Sequence, residues 1–306
     1  MVVTLGLVGL GVIARNQHLP SIAKSPALAL SAIASRNASL PSVPSFNDID
    51  DLLLQSDCAA ITLCTPPQGR FEQAVKAIAA GRHVMLEKPP GASVSEVQSL
   101  LRMAQQKGVT LFATWHSREA SAVNEAARIL KSRHISKVEI TWKEDVRHWH
   151  PGQEWIWQAG GLGVFDPGIN ALSILTKILP DPVYPLSARL EVPANKQTPI
   201  AAEVSLISAL GTQIEAIFDF RQTGPQTWDI RLETDGGEVL LRNGGANLYL
   251  DGVAASLGED EEYLRLYKRF AELIAEGTSE VDLAPLQLVA DCFLLGERIL
   301  VEDFHE

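Results

Sequence analysis

Cysteine is scarce in this chain of 306 residues: Cys58, Cys64 and Cys292 are the only three, and none forms a C-x-x-C pair. That argues against a disulfide framework or a thiolate metal site, and the three read as small core residues in a reducing compartment. Positive charge is also short, with Lys+Arg at 26 against Asp+Glu at 37 and a formal net charge of -11. Nucleic acid, which needs a clustered basic surface, is not an expected partner. No apolar run reaches membrane-spanning length, and the apolar start, Val2 to Val8, lacks a basic leader and is broken by glycine. No membrane partner and no metal are expected, and the expected location is the cytoplasm. Repeats and low-complexity tracts are absent as well.

What is present is a regular alternation over the first 115 or so residues. Apolar runs at Val2–Val8, Leu28–Ala34, Cys58–Leu63, His83–Leu86 and Val109–Ala113 read as strands covered on both faces, separated by helical stretches such as Gln68–Ala80. Ser93 with Glu96 forms a capping box that opens a helix ending at Lys107-Gly108. This is the grammar of a doubly wound parallel sheet, a Rossmann domain expected over residues 1–117. Residues 118–306 follow a different pattern. Strands at Lys137–Glu144, Val183–Val192, Ala201–Ser208, Gln213–Arg221, Trp228–Thr234 and Glu238–Arg242, joined by hairpin-like turns, predict an α/β domain on a large, mostly antiparallel open sheet. Helices are expected from Asp166 or Pro167 to Leu179, from Glu261 to Glu276 and from Pro285 to Glu302.

Gly9-Leu10-Gly11-Val12-Ile13-Ala14 stands where the first strand turns into a helix. In that context Gly9 permits the tight turn, Gly11 lets the backbone approach a pyrophosphate, and Ala14 lets helix and strand pack closely. After the second strand come Ser35-Arg36-Asn37, where an NAD-specific domain would carry an acid for the ribose hydroxyls. A hydroxyl and a guanidinium suit a 2′-phosphate, so NADP or NAD is the expected cofactor. Lys88, in Glu87-Lys88-Pro89, stands beyond the carboxyl end of His83–Leu86, where ligands bind in open parallel sheets.

Five of the six tryptophans lie between Trp115 and Trp157, among His116, Glu144, Asp145, His148 and His150. Aromatic faces beside hydrogen-bonding groups suit a polyol, and they equally suit a core or a subunit interface. Asp166 precedes Pro167, which fits a helix N-cap, and Asn170 follows one turn later on the same face. Two roles are open for Asp166: cap, or proton acceptor beside the charge of Lys88.

Taken together, the G-x-G-x-x-A turn, Thr65-Pro66-Pro67, Ala80-Gly81-Arg82-His83-Val84, Glu87-Lys88-Pro89 and the glycine-rich Gly160–Asn170 segment resemble the glucose–fructose oxidoreductase, inositol dehydrogenase and rhizopine-catabolism family, over almost the whole chain. Many members carry histidine where this chain has Asn170. With Trp115-His116-Ser117-Arg118, Trp142 to Arg147, Trp149-His150-Pro151-Gly152 and Phe165 to Asn170, the sequence is similar to the family's aldose 1-dehydrogenases acting on L-arabinose and D-galactose. That resemblance implies Lys88, Asp166 and Asn170 as the catalytic group. It places Gly9, Gly11, Val12, Ile13, Ser35, Arg36, Thr65, Pro66, Glu87 and Lys88 on the cofactor, and His116, Glu144, Trp149, His150, Asp166, Asn170 and Trp228 on the sugar. It further implies a homo-oligomer formed through the C-terminal sheet. Whether Lys88 or Asp166 holds the proton last stays open. A polyol dehydrogenase and a non-catalytic NADP-binding sensor are the rival readings.

Overall fold

The computed structural model describes residues 2–306. The chain divides into two compact units, Met1–His116 with Glu262–Leu283, and Ser117–Glu261 with Ala284–Glu306.

In the first unit β1 (Val3–Val8), β2 (Leu28–Ala34), β3 (Ser45–Phe46), β4 (Ala60–Leu63), β5 (His83–Leu86) and β6 (Leu111–Ala113) form a parallel sheet in the order β3-β2-β1-β4-β5-β6. The order reverses beside β1, and the crevice at that switch point is where doubly wound sheets bind ligands. Continuous apolar strands produce this because both faces are covered: Leu5, Leu7, Ile61, Leu63, Val84, Met85 and Leu86 are all buried. Gly9 leaves β1 at φ +94°, and a Cβ there would press on the backbone of Cys64 and Thr65 at 3.0 Å.

The helix Glu262–Glu276 belongs to this unit, which corrects the expected boundary after residue 117. Its apolar face explains the return. Tyr263, Leu266, Tyr267, Phe270 and Leu273 share one buried cluster with Leu5, Leu7, Met85 and Phe112. Glu280 then pairs with the outer edge of β6 opposite Phe112, donating its N–H to Leu111 O at 3.1 Å and accepting that of Ala113 at 3.0 Å.

The second unit is built on a nine-stranded sheet. Its strands are β7 (Ile135–Lys143), β8 (Val183–Pro193), β9 (Ala201–Ser208), β10 (Gln213–Asp219), β11 (Thr227–Thr234), β12 (Gly237–Arg242), β13 (Asn247–Leu250), β14 (Val253–Ala254) and β15 (Glu297–Val301). Their order is β14-β13-β12-β11-β7-β10-β9-β8-β15, antiparallel except for the β7–β10 and β8–β15 pairs. β15 replaces the end of the helix expected to run to Glu302. That helix covers Ala284–Leu295 and stops at Gly296, where a Cβ would lie 2.5 Å from Cys292 O. The β-branched Ile299 and Val301 then continue as an edge strand along β8. On β10, Ile214, Ala216 and Phe218 are buried while Gln213, Glu215 and Ile217 are exposed, so one sheet face is packed by helices and the other is open.

Phe270 is fully buried and stacks on Phe112 at 6.2 Å. Phe270→Ala should cost about 3–5 kcal/mol in denaturant unfolding, the usual price of an emptied aromatic core site. A loss below about 1 kcal/mol would mean that the returning helix adds little to the first unit's core.

Candidate active site

The first unit supplies a cradle at the carboxyl ends of its strands. Gly9 and Gly11 follow β1, Ser35 and Arg36 follow β2, Thr65 and Pro66 follow β4, and Glu87 and Lys88 follow β5. Nothing lies within 4 Å of where a Cβ on Gly11 would sit, so the backbone there is open to close approach, as a pyrophosphate requires. Val12 and Ile13 are exposed beside it, as is Arg36. These residues fit a nicotinamide dinucleotide.

Glu87 differs in kind from the others. Its carboxylate is buried and turned into the unit, where Oε1 accepts from Tyr263 Oη at 2.6 Å and meets His18 Nε2 at 3.1 Å, and Oε2 accepts the Lys88 N–H at 2.5 Å. Its expected contact with the cofactor is not a use to which this geometry puts the carboxylate. His18 Nδ1 meets Tyr267 Oη at 2.7 Å. His18 reaches inward from a π-turn, Ala14–His18, that precedes the helix Leu19–Lys24. Pro20 has no N–H to return to the turn before it, which accounts for the irregular winding. On the other side of the same segment, buried Arg70 donates from Nε to Thr65 O at 2.9 Å, from Nη1 to the carbonyls of Glu87 and Pro89, and from Nη2 to Thr65 O. The Lys88–Pro89 peptide is cis. His116, expected at the sugar, bonds through Nδ1 to Glu262 Oε2 at 2.6 Å and stacks on Tyr263 at 5.4 Å.

Charge follows this geometry. Burial would raise the Glu87 carboxyl, but the hydrogen bond and charge of His18, with His116 and Tyr263, hold it well below the usual carboxylate range. Burial would lower His18, yet Cys64, Tyr267 and Glu87 raise it well above an ordinary imidazole. For His116 burial again lowers, and the charge and hydrogen bond of Glu262 prevail to raise it. Both shifts favour an imidazolium facing a carboxylate in the His18–Glu87 pair.

The second unit holds a separate line of groups. Glu144 directly follows β7 and is nearly fully buried, and the short helix Val146–Trp149, capped by Asp145 through the Arg147 N–H, folds the chain back so that His150 Nε2 meets Glu144 Oε1 at 3.0 Å. Trp228 Nε1 donates to Glu144 Oε2 at 2.8 Å, and His150 Nδ1 lies 3.7 Å from Asp166 Oδ2. Trp228 pairs directly with Trp142 across β11 and β7, stacked at 6.1 Å, and Trp149 packs on Trp228 at 4.9 Å while 41% exposed. Glu144, Trp149, His150, Asp166 and Trp228 are thus brought together.

Asp166 is not the N-cap. The helix runs Phe165–Ile178 behind Val164, whose side chain makes no cap bond, so Asp166 lies within the first turn with its carboxylate 4% exposed. Asn170 follows one turn later and is half-buried. Gly163 allows this entry: it sits at φ +55°, and a Cβ would lie 2.3 Å from Pro199 O.

A model of the oxidoreductase family with an NAD-binding Rossmann fold (Gfo/Idh/MocA) matches residues 3–115. Galactose 1-dehydrogenase of Pseudomonas fluorescens is 44% identical over 305 residues, 99% of each chain. The chain belongs to this oxidoreductase family. A crystal structure of D-galactose-1-dehydrogenase from Rhizobium etli is 53% identical, covers 99% of this chain and 98% of its own, and has a TM-score of 0.96. A 3-ketoreductase from Actinomadura kijaniata, solved with NADP and TDP-benzene, shares the fold at a TM-score of 0.84 and 16% identity over 98% of this chain. The family's cofactor is a nicotinamide dinucleotide, and among the described residues no helix is long and apolar enough to cross a membrane.

His18, Tyr263 and Arg70 escape motif reading. His18 lacks a ligand-like spacing, Tyr263 lies far along the chain, and Arg70 resembles any helix-start arginine.

The raised His18 makes stability depend on pH. Because its folded-state pKa exceeds the unfolded value near ~6.5, its contribution is complete below that pH and is lost as pH rises through the folded value. The Tm advantage of the native chain over His18→Gln should therefore shrink steadily from pH 6.5 upward. A constant or growing advantage would mean His18 is neutral in the fold.

Proposed function

We propose that this oxidoreductase is an NAD(P)-dependent aldose 1-dehydrogenase that oxidises the anomeric carbon of D-galactose and L-arabinose to the lactone. The observation that carries the reading is the Trp228–Glu144–His150–Asp166 line, where buried carboxylates and an imidazole stand beside an exposed tryptophan face. Such an arrangement matches a pyranose, which offers hydroxyls on its rim and C–H patches on its faces. Full-length similarity to two galactose dehydrogenases supports the same substrate class.

When bound, the nicotinamide accepts a hydride from the anomeric carbon. Asp166 takes the proton of the anomeric hydroxyl, since position 170, one turn away, carries an amide and no imidazole base. Lys88 stabilises the oxyanion that develops, and Asn170 orients the hydroxyl. Glu144 and His150 bind ring hydroxyls, with Trp149 and Trp228 against the ring face, and His116 completes the sugar contacts. Ser35 and Arg36 take the 2′-phosphate of NADP, with Gly9, Gly11, Val12, Ile13, Thr65 and Pro66 on the rest of the dinucleotide. The open face of the nine-stranded sheet is the surface for self-association, and the cytoplasm is the setting.

A panel of aldoses and polyols with NAD or NADP, read as reduced nicotinamide absorbance, tests the reading. D-Galactose and L-arabinose share their pyranose ring configuration, so both should be oxidised, and NADP should be accepted. D-Glucose and D-xylose invert one hydroxyl, leave a buried partner unpaired and should be poor substrates. Preference for inositol, or no turnover at all, would favour the polyol-dehydrogenase or sensor reading.

Asp166→Asn should lower kcat by about two to four powers of ten, the worth of a positioned general base. Its Tm should change far less than its kcat, because asparagine keeps the size of the buried side chain and an oxygen that can accept hydrogen bonds. A near-native kcat at saturating sugar and cofactor would move the proton acceptor elsewhere.

A further inference from the structure

We propose that Glu87, His18 and Tyr263 form a positioning assembly for the Lys88 peptide, through which the nucleotide-binding helix and the returning helix Glu262–Glu276 both govern turnover. The proposal rests on the reading of Lys88 as the group that stabilises the oxyanion. Three observations lead to it.

First, the Glu87 carboxylate is matched donor for donor. Oε1 serves Tyr263 and His18, and Oε2 is left for the Lys88 N–H at 2.5 Å. An amide donating to an ionised carboxylate is a strong hydrogen bond, and here it has almost no water to compete with it. Second, Arg70 grips the carbonyls of Glu87 and Pro89 from the other side. The Glu87–Lys88 peptide is thus held at both its N–H and its carbonyl, and the chain is gripped again at the Pro89 carbonyl just beyond Lys88. Third, the three donors come from three places in the sequence. His18 ends the π-turn that follows the G-x-G-x-x-A segment, Tyr263 opens the returning helix, and Lys88 lies beyond β5.

Stability alone does not call for this arrangement. Replacing a buried ion pair by well-packed apolar groups is often neutral or stabilising, so a buried His–Glu pair is weak evidence for a purely structural role. Tyr263 stays a donor throughout the working pH range, because burial and then the Glu87 charge push its phenol well up. Losing one donor leaves the carboxylate under-satisfied, and it must then turn toward the donor that remains or recruit water. Either movement loosens its grip on the Lys88 N–H.

The sequence offers a single-site probe. Glu87–Lys88 is the one Glu–Lys step in the chain. In full-length protein made cell-free with carbonyl-13C glutamate and 15N lysine, and saturated with NADP, the only amide selected through a labelled carbonyl is that of Lys88. It should resonate far downfield and exchange slowly. Tyr263→Phe, which keeps the ring, and His18→Gln should each move it upfield and speed its exchange. Both should lower kcat about tenfold, with less than about a threefold change in KM for cofactor. If His18→Gln does not fold, Tyr263→Phe decides alone. An unmoved amide in the folded variants overturns the proposal, and so does a moved amide with kcat unchanged. Lys88→Ala is the control on the underlying reading: if it keeps native turnover, Lys88 is not the oxyanion group, whatever the amide does.

Discussion

A carboxylate shut away from water needs a donor for nearly every lone pair, and Glu87 imposes that demand on much of the first unit. The donors it recruits are His18, Tyr263 and the Lys88 N–H. Meeting the demand requires a helix from far along the chain, which is why Glu262–Glu276 carries tyrosines at 263 and 267 on the face that packs against the parallel sheet. The same residues therefore contribute to the core and to the placement of Lys88. Packing supplies the binding energy of the helix, and the hydrogen bonds set its register.

The second unit meets a similar demand by different means. Glu144 lies at the end of β7, one step beyond regular pairing, and a single helical turn brings His150 back to it. Trp228, placed by its register against Trp142, satisfies the other oxygen. Because strand register fixes Trp228 and a capped turn fixes His150, the polar groups around Glu144 are held by rigid elements. Asp166 is fixed from below by a helix start packed on Phe218, with Phe165 against the same ring at 5.4 Å.

Much of this was legible in the residues. Period-two and continuous apolar runs located the longer strands, because burial on one or both faces leaves a direct trace in composition, whereas the short β3, β13 and β14 carry too few residues to show a period. The glycine turn, the switch-point position of Lys88 and the tryptophan-rich stretch could be read for the same reason: each is a local pattern. What could not be read was long-range. Nothing around Tyr263 says that it packs beside β1 and β5, so the return of Glu262–Leu283 to the first unit leaves no local trace. Asp166-Pro167 looks like a cap and first helical residue, yet the helix begins two residues earlier, behind Val164, where Leu162 O accepts the Phe165 N–H and Gly163 O that of Asp166. The start of β15 is hidden because the apolar run continues through Leu294 and Leu295, and Gly296 alone marks the break before the strand. The burial of Glu87 was hidden too, since its partners lie 69 and 176 residues away.

The central claim is that oxidation occurs at the anomeric carbon. Carbon-13 NMR of [1-13C]-D-galactose incubated with the protein and NADP tests it directly. The label should leave the two anomeric resonances and appear at a lactone carbonyl, then at the carboxylate formed by its hydrolysis, in step with reduced cofactor. Cofactor reduction with the label still at a hemiacetal carbon would place the oxidation elsewhere on the ring and contradict the assignment.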